Sequence, residues 1–230
     1  MRKTRLFVAL SLLAIAFTAA AVLSGCGTKG TDPNDTTQGR PQSVTAYEAG
    51  QFTKPAADKW QSNNWMIQTR SADPDGVSKD GKSKIWEVYY FTPTPESGNQ
   101  MFVIYNRGNV WPNAPSDAKG SDQGLDTYRK DKPPDFRVDS GEAYQVARQN
   151  GGGDFMDAHP DAVANMQLRC KADYDAIAEK TPSSKYKWIW DVSFREPQVG
   201  ADELHVLVDG MTGDFISKDT KGPNGSTGTQ

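Results

Sequence analysis

Two short segments, IWEVYYFT at residues 85–92 and IWDVSFRE at 189–196, constrain this 230-residue chain more than anything else in it. Trp86, Val88 and Tyr90 alternate with more polar neighbours, and Trp190, Val192 and Phe194 do the same. A period of two puts each set on one face of a half-buried strand. The recurrence after about 100 residues marks an internal repeat, and two further pairs share the spacing. NWMIQTRSAD (64–73) aligns with NMQLRCKAD (165–173) if one residue is skipped; in the second copy Met166, Leu168, Cys170 and Ala172 alternate with Gln167, Arg169 and Lys171. MFVIYN (101–106) aligns with LHVLVD (204–209), each separated from the previous strand by a polar loop containing Gly98 or Gly200. The last two segments of each copy read as a hairpin.

A helix is expected at the head of each copy, covering the apolar face of its sheet. In the second, Asp139 and Glu142 form a capping pair, Ala143, Val146 and Ala147 share a face, and Asn150 with Gly151, Gly152 and Gly153 ends the helix. In the first, Thr53 ahead of Lys54 and Pro55 reads as a start, with Ala56, Ala57 and Trp60 on the buried side. The expected class is therefore α+β: two tandem αβββ-like units at 44–111 and 139–217, each a helix on an antiparallel sheet. Residues 112–138, rich in Pro and Gly, read as the linker between them.

The N-terminus carries an address. Arg2, Lys3 and Arg5 precede an apolar run at 6–22, and Leu23, Ser24, Gly25 and Cys26 follow. The pattern is that of a secretory signal, and a run of about 17 residues is short for a membrane span. Leu, small, Gly, Cys resembles the lipobox of bacterial lipoproteins, which implies cleavage between Gly25 and Cys26 and lipidation (palmitate among the acyl chains) of Cys26. The competing readings are a plain secretory peptide or an uncleaved anchor. Residues 1–25 are then a signal peptide, 26–43 a polar flexible tether, and 218–230 a disordered polar tail. The expected location is the extracytoplasmic face of a bacterial membrane, in the cell envelope, held by the lipid.

Charge narrows the partners. Removing residues 1–25 takes three basic residues from 26 and none of the 29 acidic ones, which leaves a net charge of −6. An acidic chain of this kind lacks the basic excess that a phosphate backbone requires, so no nucleic-acid partner is expected. Six Trp, eight Tyr and nine Phe supply apolar surface for a packed core. With Cys26 lipidated no intramolecular disulfide can form, and Cys170 is expected as a buried inert thiol.

The segment WIWDVSFREPQVGADELHVLVDGMTGDF (188–215), taken with the helix near 142–149, resembles the C-terminal half of a PepSY domain. The match rests on Asp209, two spacers, Thr212 and Gly213, followed by Asp214 and Phe215. Locally this specifies a turn in which Asp209 accepts backbone N–H groups, Thr212 caps and Gly213 takes a positive φ. The first copy, Asn106, Arg107, Gly108, Asn109 and Val110, lacks the Thr-Gly and is PepSY-like by repetition alone. The resemblance implies a cystatin-like helix across an antiparallel sheet, and a role in binding or inhibiting peptidases without catalytic residues.

Chemistry is thinly represented. His159 and His205 are the two histidines; His159 precedes Pro160 in a loop and His205 alternates onto the solvent side of a strand. No GxSxG elbow occurs, and paired zinc-ligand spacing is absent. Asp73, Asp75 and Asp80 in DPDGVSKDG are the weak candidates for a cation site, against an ordinary acidic hairpin loop. Trp60, Trp65 and Trp111 are the aromatic candidates for stacking on a sugar or anchoring a peptide.

The expected function is non-catalytic: a lipid-anchored module with no cofactor and no metal that binds an envelope protein or peptide and inhibits or modulates an envelope peptidase. The alternatives are a cell-envelope polysaccharide binder using exposed Trp residues, and a hydrolase.

Overall fold

The computed structural model describes residues 39–93, 98–114, 116–117, 132, 135–170, 188–198, 201–221 and 227–228. The expected signal peptide, Gly25, Cys26 and most of the tether lie outside the described residues, as do Gly200 and Ala172.

Helix α1 spans Ala46–Trp60, and its cap Thr45 lies eight residues ahead of the Thr53 start expected from sequence. The signal missed is a capping box: the Thr45 side chain accepts from Glu48 N–H, and Glu48 accepts the Thr45 N–H at 2.9 Å. Pro55 therefore sits inside the helix instead of opening it. Ala46, Ala49, Thr53 and Ala57 form its buried stripe, while Ala56 and Trp60 are half-buried. Strands β1 (Trp65–Ser71), β2 (Ile85–Pro93), β3 (Gly98–Asn106), β4 (Asn109–Pro112) and the short β5 (Ser116–Asp117) follow.

Asp139 caps α2 (Ser140–Ala147) by accepting from Ser140 N–H, without the reciprocal Glu142 bond of a capping box. The glycines do not end the helical path at once. A π-type turn at Arg148–Gly152 kinks the chain, with Gly151 at φ 119°, and α3 (Gly153–Ala158) continues beyond it. Then come β6 (Val163–Cys170), β7 (Trp188–Arg195), β8 (Glu203–Asp209), β9 (Phe215–Lys221) and the short β10 (Thr227–Gly228).

The fold is α+β, and all the described strands belong to one antiparallel sheet in the order β10-β9-β8-β7-β6-β1-β2-β3-β4, with β5 also on β3. The boundary expected at 112–138 does not divide the sheet, because β1 pairs directly with β6. Thr69 lies opposite Leu168, flanked by Gln68–Arg169 and Arg70–Gln167, so the element order reads outward alike on both sides of that central pair. The stretch 112–138 is itself structured in places: Ser116 and Asp117 pair with β3, and the N–H groups of Arg137 and Val138 both donate to the Gly210 carbonyl. Part of the stretch expected as a tail from residue 218 is likewise structured. Lys218 to Lys221 complete β9, a strand whose faces are only partly covered.

One face of the sheet is buried beneath the helices. Trp86, Val88, Val103, Tyr105, Leu168, Trp190, Val192, Phe194, Val206 and Val208 are fully buried there, and Cys170 is buried at the end of β6. The repeated tryptophans Trp86 and Trp190 are held alike. Trp86 Nε1 donates to the Val44 carbonyl at 2.8 Å and Trp190 Nε1 to the Val138 carbonyl at 2.9 Å, each acceptor directly preceding a helix cap. Among the described residues no helix is long and apolar enough to cross a membrane.

Candidate functional site

A cavity of about 330 Å³ opens beside the first two turns of α1. Tyr47, Gly50, Gln51 and Lys54 line it because residues three, four and seven apart share one face of a helix. Asn64, Trp65 and Met66 at the start of β1, with Tyr90 of β2, make its floor; Lys132, Asp135, Phe136 and Trp188 close the far side. Phe136 is the keystone of that wall, its ring lying edge-on to Tyr47, Trp188 and Trp190 at 6.0, 6.0 and 6.4 Å.

Two polar groups in the lining lack partners. Trp65 is 9 % exposed and Asn64 7 % exposed, yet Trp65 Nε1 and Asn64 Oδ1 make no hydrogen bond. The amide side of Asn64 is by contrast engaged, donating to Asp58 Oδ1 at 2.9 Å and to the Gln61 carbonyl. A buried donor and a buried acceptor without partners cost about 1–3 kcal/mol each, and both atoms are shielded from the open space of the cavity. Tyr90 is satisfied: its hydroxyl lies 2.8 Å from Thr53 Oγ1 and donates to the Gly50 carbonyl at 3.2 Å. Burial pushes its phenol pKa well up, so it stays neutral. At the rim Lys54 pairs with Asp58. The cavity offers apolar aromatic surface with a few fixed polar atoms, the make-up of a binding pocket.

The sequence candidates scatter around this place. Trp65 lines it, and Trp60 is half-buried against the core. Trp111 is 59 % exposed on β4, where it lies opposite Ile104 and so on the sheet face away from α1. The three do not form a common platform. Asp73 and Asp75 are tied to Lys84, whose ammonium reaches Asp75 Oδ2 at 2.6 Å and Asp73 Oδ2 at 4.0 Å, where a cation would otherwise sit. Asp73 also accepts from the N–H groups of Asp75 and Lys84, and Asp80 is exposed. Among the described residues no group of three His, Cys, Asp or Glu is set to hold a metal ion.

Asp209, Thr212 and Gly213 build one turn. Asp209 Oδ1 accepts the N–H groups of Met211 and Thr212 at 2.7 and 3.3 Å, Gly213 has φ 79°, and Thr212 Oγ1 donates to Asp214 Oδ2. The turn lies beside Glu142 and Val138 at the head of α2, remote in chain from the α1 cavity.

The histidines face carboxylates. His159 Nδ1 lies 2.7 Å from Glu196 Oε1, its ring stacked on Phe155. His205 is half-buried on the helix-free face, with Nδ1 2.9 Å from Asp191 Oδ1 and Nε2 3.2 Å from Glu203 Oε1. Ser193 is its cross-strand neighbour, but Nε2 makes no hydrogen bond to that hydroxyl. Burial works against the charged ring and is outweighed by Asp191 and then Glu203, so its pKa is raised.

Sequence reading missed Tyr47, Gly50, Gln51, Asn64 and Phe136. The Thr45 to Glu48 capping box was the available signal for the first three, since it sets the start of α1 and hence which residues share its outer face. No family model matches the chain, and no match was found among the curated proteins or the solved structures.

Proposed function

We propose that the chain is a lipoprotein anchored through Cys26 on the extracytoplasmic face of a bacterial membrane, and that its folded region binds a protein or peptide segment without transforming it. One observation carries the binding reading: an open cavity of about 330 Å³ beside α1 is lined by Tyr47, Trp65, Tyr90, Phe136 and Trp188 together with Gln51 and Lys54. The anchor rests on the sequence at residues 1–26.

The reading of two αβββ units, the second PepSY-like, is supported by the matched indole bonds of Trp86 and Trp190 and by the Asp209 turn. A second pair of contacts agrees: Arg107 N–H donates to the Lys84 carbonyl and Gly210 N–H to the Trp188 carbonyl, both at 2.9 Å. Pairing of the units through their first strands makes them one body. Peptidase inhibition or modulation is the role such a module fits.

The test is crosslinking of the full-length chain in its host membrane. Reproducible recovery of one envelope peptidase or secretion component supports the proposal, and recovery of wall glycan alone contradicts it. Cys26→Ser is expected to release the protein from the membrane; retention there would contradict the anchor.

A further inference from the structure

The first described residue, Gly39, enters the fold at one edge of the sheet. Arg40 and Pro41 lie against the β3–β4 turn, where their carbonyls would meet a Cβ at Gly108 at 3.2 and 3.7 Å, and the Tyr105 hydroxyl donates to the Pro41 carbonyl. Glycine at 108, with φ 87°, admits that approach. Residues 27–38 are all that separate this point from Cys26, a span of at most about 45 Å whatever their arrangement.

That edge differs chemically from the rest of the chain. Trp111 on β4 is 59 % exposed, more than Tyr47 at 50 % or Phe215 at 41 %. It stands opposite Ile104 of β3, and Phe102, two residues before Ile104, stacks on Tyr89 of β2 with centroids 5.4 Å apart. Met101, Val103 and Tyr105 alternate with these residues into the core, so an apolar strip runs inward from Trp111 across the helix-free face. Residues 98–112 contain none of the 29 acidic residues, and their one charge is Arg107, exposed in the turn.

Size and backbone limit what lies against this patch. Trp111, Ile104, Phe102 and Tyr89, the last three already half-buried, fall short of the about 800 Å² per partner that a stable protein interface takes. Pro112 gives the end of β4 no N–H to donate, which blunts it against strand addition. A bilayer interface requires neither a large area nor an open ladder. It accepts an indole at headgroup depth, attracts a guanidinium to lipid phosphate and repels carboxylates. A lipid at Cys26 would hold this edge within reach of the surface, so a contact too weak for a free protein becomes populated.

We infer that the β4 edge docks on the bilayer that holds the lipid anchor, with the Trp111 indole in the headgroup zone and Arg107 against lipid phosphates; this rests on the Cys26 anchor proposed above and adds the surface by which the folded region meets the membrane. Ile104 and Phe102 follow Trp111 toward the lipid along the same face. Helix α1 and its cavity lie on the other face of the sheet. Docking through Trp111 therefore leaves the cavity open on the side away from the lipid, where a partner can reach it.

The test uses the full-length chain purified from its host membrane and placed in vesicles of phosphatidylcholine and phosphatidylglycerol, with and without bromine on the acyl chains next to the headgroup. Trp111 emission is the difference between the unaltered chain and Trp111→Phe. It is expected to shift to the blue on vesicles and to fall by about twofold or more with brominated lipid. Arg107→Asn, which suits the left-handed φ of 49° at that position, should roughly halve the quenching. A tryptophan placed near the opposite sheet edge, Phe215→Trp in the Trp111→Phe background, should stay unquenched. Equal quenching at both edges, or an unquenched Trp111 on vesicles that carry the chain, overturns the inference and spares the anchor. A chain that fails to float with the vesicles overturns both. A blue shift of Trp111 on soluble wall glycan with none on vesicles assigns the patch to a saccharide and overturns the inference as well.

Discussion

Asp139 Oδ1 accepts the backbone N–H of Tyr47 at 3.0 Å, a bond across 92 positions of the chain. The same oxygen accepts Ser140 N–H at 2.7 Å, so one carboxylate closes the N-termini of α1 and α2 together. Ser140 Oγ adds a third tie by accepting Ala46 N–H at 3.0 Å. Two helix starts, each with open N–H groups and a positive dipole end, meet at one negative side chain.

Asp139→Ala should therefore cost more than an ordinary cap. One lost N-cap is worth about 0.5–2 kcal/mol, and here a second helix start loses an acceptor too, so a loss of about 2 kcal/mol is expected in chemical denaturation. Asp139→Asn keeps an acceptor oxygen and should recover some of it. A loss no larger for Ala than for an exposed surface substitution would speak against the shared cap.

The fold was legible where alternation could be read and illegible where the deciding contact came from elsewhere. Trp86, Val88 and Tyr90, and likewise Trp190, Val192 and Phe194, show a period of two that a strand with one buried face requires, and these strands form where expected. The start of α1 was misplaced because Pro55 looks like a first-turn proline, while the Thr45 to Glu48 box does the capping. The joining of both halves in one sheet depends on β1 and β6 pairing at Thr69 and Leu168, and no local pattern announces a partner so far away. The cavity was hidden for the same reason: Phe136 and Trp188 reach it from the far half of the chain, and its defining feature is an absent side chain at Gly50.

The two indole bonds should not be worth the same. Val44 O also accepts Ser83 N–H at 2.9 Å, so Trp86→Phe leaves that carbonyl a partner. Among the described residues Val138 O has the Trp190 indole as its donor. Trp190→Phe should thus approach the roughly 1–3 kcal/mol cost of an unsatisfied buried acceptor, and Trp86→Phe about 1 kcal/mol. Paired urea denaturation curves compare them, and equal losses would contradict the distinction.

Two glycine-to-alanine changes should act with opposite sign. Gly50 lies inside α1 where a Cβ would meet only Met66 Sδ, at an ordinary contact distance of 3.9 Å, so Gly50→Ala should stabilise by about 0.5–1 kcal/mol through the unfolded chain. Gly152 lies against the Phe194 ring, where a Cβ would collide, so Gly152→Ala should destabilise by about 1–3 kcal/mol. Thermal unfolding of both variants reads the two signs directly.

His205 gives the stability a defined pH dependence. It faces Asp191 along β7, Glu203 on its own strand and Asp219 across on β9, and its folded pKa is raised. The folded state binds the proton more tightly than the unfolded chain, so this contribution is fully present below the ordinary histidine pKa of about 6.5 and fades as pH rises through the folded value. Replacing His205 with Gln should lower unfolding free energy at pH 5.5 and make less difference at pH 9. A larger deficit at the alkaline end would reverse the assignment.

The binding account meets its most direct test at Gln51. A photocrosslinking residue placed there in the membrane-anchored full-length chain, and a control placed at Trp111 on the opposite sheet face, would be activated in the native host and the adducts identified by mass spectrometry. Position 51 is expected to capture one polypeptide reproducibly, and position 111 is not. Adducts at position 51 confined to glycan or lipid, or the same polypeptide captured equally from position 111, would contradict it.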